Sequence, residues 1–416
     1  MSDRKLCPLP WVSVETSPFG ELRPCCLYDD YIKKDDGTNY NIAKGDSISD
    51  AFNSTSMTEL RQEFLNGGQP DGCRRCWSEE DAGIISKRLR SVEQYEKQNI
   101  NFHTNEADKV RFLDLKLGNI CNLKCRICGS WSSSKWAAEE ISYLKADEHF
   151  GRTQVLQDQY NYKRKLLKDG AWPREVSAVW TELDSIMENI DLMEFTGGEP
   201  MMIQEQFDLL KSAVKNGHSK NIKVHYNTNG THYVQDAIDN IWPNFKTVEL
   251  AFSIDDVGEK FEYQRYGANW NEVNQNITNY HKLAGESWFA SQVCMTFSAF
   301  NILSVGNLLE WVDTQPFGHV YFNLMHDPKH FNMKVLPDVA KEKIATKIMQ
   351  QTINTKHYEN VKNLCNFLLQ KDQEIEDNKE KYWADFKRHL AQTDKFRNQN
   401  FADTFPELYV LIEEWL

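Results

Sequence analysis

Three cysteines lie close together in the segment CNLKCRIC, residues 121–128, and their thiols could bind a metal. Cys121, Cys125 and Cys128 are separated by four and three residues. This spacing would place three side chains on one face of a helix. It would also supply three ligands of a zinc site that lacks its fourth, or bind three irons of a four-iron cluster and leave one iron open. Gly118 and Asn119 precede the group and favour a loop over a helix interior.

A second group of cysteines lies nearer the N-terminus and could form a closed site with four thiolates. Its members are Cys7, Cys25, Cys73 and Cys76, and Cys26 could replace its neighbour Cys25. Four thiolates bind either zinc or an iron–sulfur cluster. Eight of the ten cysteines precede residue 130, which predicts local metal sites rather than a disulfide framework. The other two, Cys294 and Cys365, are predicted core residues.

The composition restricts the class of protein that can carry these sites. The chain has 416 residues, enough for two or three domains, and a net charge of -13. An acidic chain suits a nucleic-acid backbone poorly, so a nucleic-acid partner is disfavoured. No apolar region of a signal peptide opens the sequence and no run approaches the length of a membrane span. We therefore expect a cytoplasmic protein that does not contact a membrane.

The middle of the chain alternates strand-like and helix-like segments, which predicts a parallel sheet with helical crossovers. Strands are predicted over 110–117, 191–196, 221–228, 247–254, 291–300 and 319–325, and helices near 131–145, 173–188, 203–216, 233–240, 270–284 and 303–313. The polar segment 146–170 is predicted to be an insertion. The fold class is α/β, a partial TIM-like barrel of six strand–helix units. We divide the chain into a loop-rich cluster-binding domain (1–104), the barrel (105–330) and a helical extension (331–416).

Unusual sequences follow the predicted strands, where parallel sheets collect their chemistry. The first strand leads into the cysteine segment; the later ends are TGGEP (196–200), TNGT (228–231), SIDD (253–256) and MHDP (325–328).

Together these segments resemble the radical S-adenosylmethionine (SAM) enzyme superfamily. The C-x3-C-x2-C spacing resembles that superfamily's cluster loop, which implies a [4Fe-4S] cluster on the three cysteines and SAM bound at the open iron. GGEP resembles its second-strand motif, TNG its third-strand segment, and S-I-D its fourth-strand motif. The implied SAM-binding residues are Ile127, Gly197, Gly198, Glu199, Pro200, Asn229, Ser253, Asp255 and Arg265. Relatives often carry an aromatic residue at the place of Ile127, so here the adenine contact would be aliphatic.

The N-terminal cysteines add a second resemblance. The pattern C-x12-G-x4-C, Cys7 to Cys25, resembles the first half of a SPASM domain, a module whose half-size form is called a twitch domain. The layout resembles the radical SAM family with an N-terminal twitch domain. It implies an auxiliary [4Fe-4S] cluster on Cys7, Cys25, Cys73 and Cys76.

The resemblance implies an enzyme that cleaves SAM reductively to a 5′-deoxyadenosyl radical, with a one-electron donor such as flavodoxin or ferredoxin as its partner. A peptide or protein substrate is expected, with oxidation or modification as the outcome. Dehydrogenation of a small molecule such as a sugar or nucleotide is the alternative, and would favour a polar cavity roofed by the C-terminal helices. Tyr321, Asn323 and His326 are candidate substrate contacts, and no acid–base pair is assigned. A zinc-binding adaptor without enzymatic activity is the third hypothesis.

Overall fold

A computed structural model describes residues 6–98, 100–169 and 177–416 of the protein. Ten strands occur within these ranges. They are β1 (Ser13–Thr16), β2 (Leu22–Arg23), β3 (Phe112–Lys116), β4 (Lys124–Cys125), β5 (Leu192–Thr196), β6 (Lys223–Thr228), β7 (Thr247–Ser253), β8 (Arg265–Tyr266), β9 (Phe289–Phe297) and β10 (His319–Leu324).

The α-helices of the described residues fall into three groups along the chain. The N-terminal helices are α1 (Leu9–Val12), α2 (Ile48–Phe52), α3 (Thr55–Leu65), α4 (Arg74–Asp81) and α5 (Lys87–Tyr95). The middle helices are α6 (Ser134–Ala146), α7 (Gln154–Asp169), α8 (Ser177–Ile186), α9 (Gln204–Lys215), α10 (Gly258–Gln264), α11 (Trp270–His281) and α12 (Val305–Asp313). The C-terminal helices are α13 (Asp338–Thr352), α14 (Tyr358–Leu369), α15 (Gln373–Asp377), α16 (Lys379–Arg397), α17 (Phe401–Thr404) and α18 (Pro406–Ile412).

Eight strands form one sheet in the order β10-β9-β7-β6-β5-β3-β1-β2. All neighbours are parallel except β2, which runs antiparallel to β1. The six strands expected from the sequence are present and occur in chain order, as helical crossovers between parallel neighbours require. The α/β fold class and its partial-barrel character are therefore confirmed. The sequence did not predict β1 and β2, which add two N-terminal strands to the barrel sheet.

Crossover helices and the predicted insertion account for the rest of the middle region. The polar segment 146–170 contains α7, which packs against α6. The helix expected near 173–188 is α8, and its expected beginning at 173–176 lies outside the described residues. Between β6 and β7 the expected helix includes a π-helical turn at Ala237–Ile241. No helix in the described ranges has the length and apolar character needed to cross a bilayer.

The C-terminal helices pack on the outside of the barrel, and the last residues form a docked tail. Phe401, Phe405 and Leu408 are buried. The rings of Phe401 and Phe405 contact Tyr263, the residue two before β8. The tail therefore lies beside the segment that pairs with the cysteine loop. The described residues that line the barrel cavity come from the N-terminal part and the barrel strands, and the roof of C-terminal helices expected for a small-molecule substrate stays a prediction.

Candidate active site

The three cysteines of the 121–128 segment lie on the loop that follows β3, as expected. Cys125 is buried in β4, where it pairs antiparallel with Arg265 of β8. Cys121 and Cys128 are half-buried. The thiol of Cys128 hydrogen-bonds to the sulfur of Cys125, which lowers the pKa of Cys125 and raises that of Cys128. All three thiols thus lie on one loop, and Cys125 and Cys128 are close enough to shift each other's pKa.

Hydrogen bonds from outside the loop fix its shape. Trp136 donates its Nε1 hydrogen to the carbonyl of Cys125 at 2.9 Å, and Ser133 donates to the carbonyl of Leu123. Both donors lie at the beginning of α6. Arg126 is fully buried, and its backbone N–H donates to the carbonyl of Gln264 at 2.7 Å. A loop held in this way can present its thiols in a defined arrangement before any metal binds.

The GGEP segment after β5 packs directly on the cysteine loop. The backbone N–H of Glu199 donates to the carbonyl of Ile120 at 2.7 Å. A Cβ on Gly198 would lie 2.1 Å from that carbonyl oxygen, so this position requires glycine. Gly197 has a φ of +102°, which other residues rarely adopt. The two glycines thus allow the close contact between the end of β5 and the loop.

The carboxylate of Glu199 is engaged within the protein. The side chain is fully buried and accepts hydrogen bonds from the backbone of Met201 and Asn229 and from the hydroxyl of Thr228, at 2.7–3.1 Å. Burial raises the pKa of Glu199 to about 7, although these hydrogen bonds oppose the shift. The carboxyl group connects the ends of β5 and β6, and buried Pro200 follows it in the same turn.

The TNG segment after β6 reaches the loop through an amide network. Asn229 donates its Nδ2 hydrogens to Asn122 at 3.0 Å and lies 3.9 Å from the sulfur of Cys121. The side chain of Asn122 donates in turn to Thr231 at 2.9 Å. Asn229, which follows β6, thus places a polar side chain beside a cysteine sulfur.

Arg265 carries the positive charge of the site and is held by Asp255. Its Nη2 lies 2.9 Å from a carboxylate oxygen of Asp255, and its Nη1 lies 3.9 Å from the sulfur of Cys125. Burial lowers the pKa of Arg265, but the charges of Asp255 and Cys125 outweigh it and raise the pKa overall. The buried Nε hydrogen of Arg265 has no hydrogen-bond partner among the described residues. An unused buried donor beside a thiol fits an anionic group bound at this point.

The remaining predicted SAM residues lie at the same edge of the sheet. Ser253 is half-buried at the end of β7 and lines the barrel cavity. Ile127 is half-buried on the loop between Cys125 and Cys128 and packs against the core. The structure therefore brings GGEP, TNG and, through the pairing of Asp255 with Arg265, the S-I-D segment to one cysteine loop.

The N-terminal cysteines meet around a separate small cavity. Cys7, Cys25, Cys73 and Cys76 line it together, with Tyr28, Lys87 and Arg88 among its other lining residues. Burial raises the pKa of Cys25 and Cys76 to about 11, and the neighbouring thiols contribute to the shift at Cys25. Thiols of this kind lose their protons when they bind a metal. Four thiols around one cavity fit the ligand set of a four-iron cluster.

Cys26 is separated from this group although it follows Cys25 in the chain. It lines the barrel cavity, and Lys87 donates a hydrogen bond to its sulfur at 3.2 Å. Lys87 borders both cavities, so the auxiliary site and the barrel interior share a wall. The two cysteines thus face different sites.

No three His, Cys, Asp or Glu side chains of the described residues converge on the position of a single metal ion. The ligands of a four-iron cluster lie further apart than those of a single ion, because each thiolate binds a different iron.

The barrel interior is a polar cavity of about 780 Å³. Side chains alternate along each strand, and the inward set includes Tyr321 and Asn323 of β10, as expected for substrate contacts. His326 is not among the described residues that line the cavity. Its Nε2 lies 3.3 Å from Glu79 of α4 and its ring packs on Phe367 of α14, so it connects the N-terminal and C-terminal parts.

Two residues near the sites escaped sequence analysis because their partners are far away in the chain. Arg126 stacks on the ring of Tyr263 at 3.6 Å and pairs with Asp394 of α16. Lys87 pairs with Glu194 of β5 at 2.9 Å. An arginine between two cysteines was the one local signal that could have drawn attention to Arg126.

Comparisons with known proteins agree with this geometry. Residues 115–292 match the family model described as Radical SAM superfamily. No curated protein matches the chain. Among solved structures, the chain is similar to polyhistidine-tagged anSMEcpe with bound AdoMet, at 16% identity over 61% of this chain and 62% of that one, with a TM-score of 0.40.

Two further structures show weaker similarity. SuiB of Streptococcus suis bound to the precursor peptide SuiA matches at 12% identity over 71% of this chain and 63% of that one, with a TM-score of 0.35. TYW1 with a lysine-pyruvate adduct matches at 16% identity over 69% and 85%, with a TM-score of 0.33. The chain spans less than two thirds of the length of anSMEcpe and SuiB. Similarities this low give no information about activity or substrate. The family match and the strand-end geometry concern the same part of the chain: residues 115–292 match the Radical SAM superfamily model.

Proposed function

We propose that this chain is a radical SAM enzyme that acts on a substrate inside the barrel. The convergence of GGEP, TNG, Ser253–Asp255 and Arg265 on the loop of Cys121, Cys125 and Cys128 carries the proposal. These cysteines would hold a [4Fe-4S] cluster that, with SAM bound and one electron supplied, provides a 5′-deoxyadenosyl radical able to remove hydrogen from a substrate.

The chain's own residues would bind and orient SAM. Gly197 and Gly198 hold the end of β5 close against the cysteine loop, and Arg265 offers a buried positive charge and a free Nε donor for a carboxylate. Asn229 and Ser253 add polar side chains at the next two strand ends. Asp255 fixes the orientation of Arg265, and Ile127 offers an apolar contact.

We further propose an auxiliary [4Fe-4S] cluster on Cys7, Cys25, Cys73 and Cys76, in an N-terminal twitch-like domain. Their shared cavity supports this ligand set, and it supports Cys25 over Cys26. Four protein ligands would leave no open iron, which favours electron transfer over substrate binding as the role of that site. The domain division at 104 and 330 stays a proposal of the same kind.

The substrate is proposed to be a peptide or protein side chain, with a small polar molecule as the second candidate. The observation that favours a small molecule is the polar cavity, whose volume lies in the range of ordinary ligand pockets. Either substrate would bind in the barrel cavity that Ser253 lines. A one-electron donor such as flavodoxin or ferredoxin, acting in the cytoplasm, completes the proposal.

Iron analysis under anaerobic conditions tests the proposal. The reconstituted wild-type protein should contain about eight irons per chain and form 5′-deoxyadenosine when dithionite and SAM are added. The variant Cys121→Ala/Cys125→Ala/Cys128→Ala should retain about four irons and form none. Zinc in place of iron at both sites, without 5′-deoxyadenosine, would support a zinc-binding adaptor instead.

A further inference from the structure

Most charged side chains of the barrel cavity neutralise one another. Lys87 lies 2.9 Å from Glu194 and 3.7 Å from Asp114, which are opposite each other on β5 and β3. Lys116 pairs with buried Glu15 of β1. These pairs account for the charges on the side of the cavity that β1, β3 and β5 form.

The next two strands add another neutralised pair. His225 of β6 and Glu249 of β7 are opposite each other, and their side chains lie 2.8 Å apart. The hydrogen bond and charge of Glu249 raise the pKa of His225 although burial opposes the shift. The carboxylates of Asp114, Glu194 and Glu249, on neighbouring strands of the cavity wall, therefore already have partners within the protein.

Arg90 differs from these groups, because it has no carboxylate partner among the described residues. Its Nε and Nη2 donate to the backbone carbonyl of Ile85 at 3.3 and 2.7 Å, and the guanidinium lies over the ring of Tyr321 at 4.0 Å. Glu93, one turn further along α5, lines the same cavity but forms no ion pair with Arg90. The carbonyl and the ring hold the guanidinium in place, while its Nη1 hydrogens remain available.

The position of Arg90 relative to the SAM motifs can be estimated from the strand register. Ser253 is opposite Cys294, and Cys294 is opposite Tyr321. Two strand spacings of about 4.8 Å therefore separate Ser253 from Tyr321, roughly 10 Å. A substrate held at Arg90 would place atoms a few bonds away in the space beside Ser253.

A second cavity gives access to the same point. Its volume is about 380 Å³, and it shares Arg90, Glu93, His319 and Tyr321 with the barrel cavity. It is bordered on its other side by residues 83–85 and by α14. Arg90 thus lies where the two cavities meet.

We propose that Arg90, supported by Tyr321, binds a carboxylate of the substrate and thereby determines specificity. The inference rests on the proposed function, since it concerns the substrate of the same barrel. A planar guanidinium pairs with a carboxylate through two parallel hydrogen bonds. Glu93 lines the same cavity, but neither it nor any other carboxylate of the described residues forms an ion pair with Arg90. The carboxylate would belong either to a small acid or to an acidic peptide residue.

Binding of matched acid and amide probes tests this assignment. The small-molecule pair is hippurate and its amide, and the peptide pair is acetyl-Gly-Glu-Gly-amide and its Gln counterpart. Each probe is titrated calorimetrically into the reconstituted protein in the presence of SAM. In at least one pair, the acid should bind at least about tenfold more tightly than its amide. The pair that shows this preference identifies the source of the carboxylate.

Variants of the cavity cations complete the test. Arg90→Gln should remove the preference, and Arg90→Lys should keep part of it, because an ammonium retains the charge without the planar pair of donors. Lys223→Gln, at an exposed cation of the same cavity, should leave the preference unchanged.

Equal binding of acid and amide by the wild-type protein, absence of binding by both acids in the millimolar range, or retention of the preference in Arg90→Gln would each overturn the assignment. The readout is independent of SAM cleavage. A wild-type protein that forms no 5′-deoxyadenosine would refute the proposed function, whereas a lost acid preference with intact SAM cleavage would refute only the role of Arg90.

Discussion

Gly198 is the position where a single added carbon has the most direct consequence. Replacing it by alanine would force a Cβ against the carbonyl of Ile120, and separating them would cost about 1–3 kcal/mol or displace the loop. We expect Gly198→Ala to weaken SAM binding more than tenfold, as measured by equilibrium titration of the reconstituted protein. Gly306→Ala, in α12, is the control, because its Cβ would meet only ordinary contacts at 3.6 Å and beyond. Unchanged SAM affinity in Gly198→Ala would contradict the packing described for this motif.

Cys25 and Cys26 are adjacent but face different cavities, which gives opposite expectations for their removal. Cys25→Ala should lower the iron content by about four per chain, because the auxiliary site would lose one of its four thiolates. Cys26→Ala should retain the iron of the wild-type protein. Iron and sulfide assays on both variants make the comparison, and the reverse pattern would exchange the two cysteines in the assignment.

At the scale of residues, short sequence patterns identified the candidate functional residues that follow strands. They did not identify contacts between residues that are far apart in the sequence. The cysteine spacing, GGEP, TNG and Arg265 were recognised from short segments, because parallel strands bring their ends together without further information. The assignment of Glu199 to SAM stays a prediction, but the contacts of its carboxylate with Thr228 and Asn229 could not be predicted, because only the register of β5 and β6 brings these residues together. His326 pairs with Glu79, 247 residues away, and no local pattern indicates such a contact.

Helix α5 illustrates what sequence analysis could not predict at the scale of elements. Its segment KRLRSVEQY resembles an ordinary charged surface helix. In the structure Lys87 reaches the auxiliary cavity and the barrel, Arg88 is buried, and Arg90 reaches Tyr321. Lys87 points inward because the strand carboxylates of Asp114 and Glu194 stabilise it. Arg88 pairs instead with Glu80 of α4, and the carbonyl of Ile85 and the ring of Tyr321 hold Arg90. Strand β1 was missed for a different reason, since four residues of SVET are too short for a periodic signal.

The contact between α16 and the cysteine loop should depend on pH through His389. This side chain lies against Phe331 and Trp136, and its Nε2 is enclosed without a hydrogen-bond partner in the part of the chain that the structure describes. Burial lowers the pKa of His389 to about 3, and the charges of His330 and Arg126 add to the effect. An unfolded histidine binds its proton near pH 6.5, so the unfolded chain takes up a proton before the folded one does. The stability that His389 contributes is therefore lost as the pH falls from about 6.5 towards 3, by at most about 1.4 kcal/mol per pH unit.

Urea unfolding at pH 7 and pH 5 measures this dependence. His389→Gln should reduce the loss of unfolding free energy between the two values by up to about 2 kcal/mol. His149→Gln, at an exposed position, should leave the loss unchanged. Equal losses in the wild-type protein and in His389→Gln would show that this histidine titrates normally in the folded state.

At the scale of the whole molecule, the two cysteine sites use separate ligands, so they should be separable by mutation. Cys73→Ala/Cys76→Ala should lower the iron content from about eight to about four per chain. SAM cleavage without substrate should continue in this variant, because the loop of Cys121, Cys125 and Cys128 keeps its contacts with the strand ends. Assays of iron and 5′-deoxyadenosine on the same preparation test both expectations. Loss of SAM cleavage together with the auxiliary iron would show that the sites depend on each other.

Strand β1 links the N-terminal region to the barrel through its pairing with β3. The change in sequence character near residue 104 therefore does not mark a place where the chain can be cut. A protein beginning at residue 105 would leave backbone groups of β3 unpaired and expose apolar side chains beside β1, such as the buried Leu113 and Leu115. Open strands of this kind associate with one another, so the isolated barrel would accumulate as aggregates. A shortened gene made to study the barrel alone would fail for this reason, and residues 105–330 should be produced only with the N-terminal region attached.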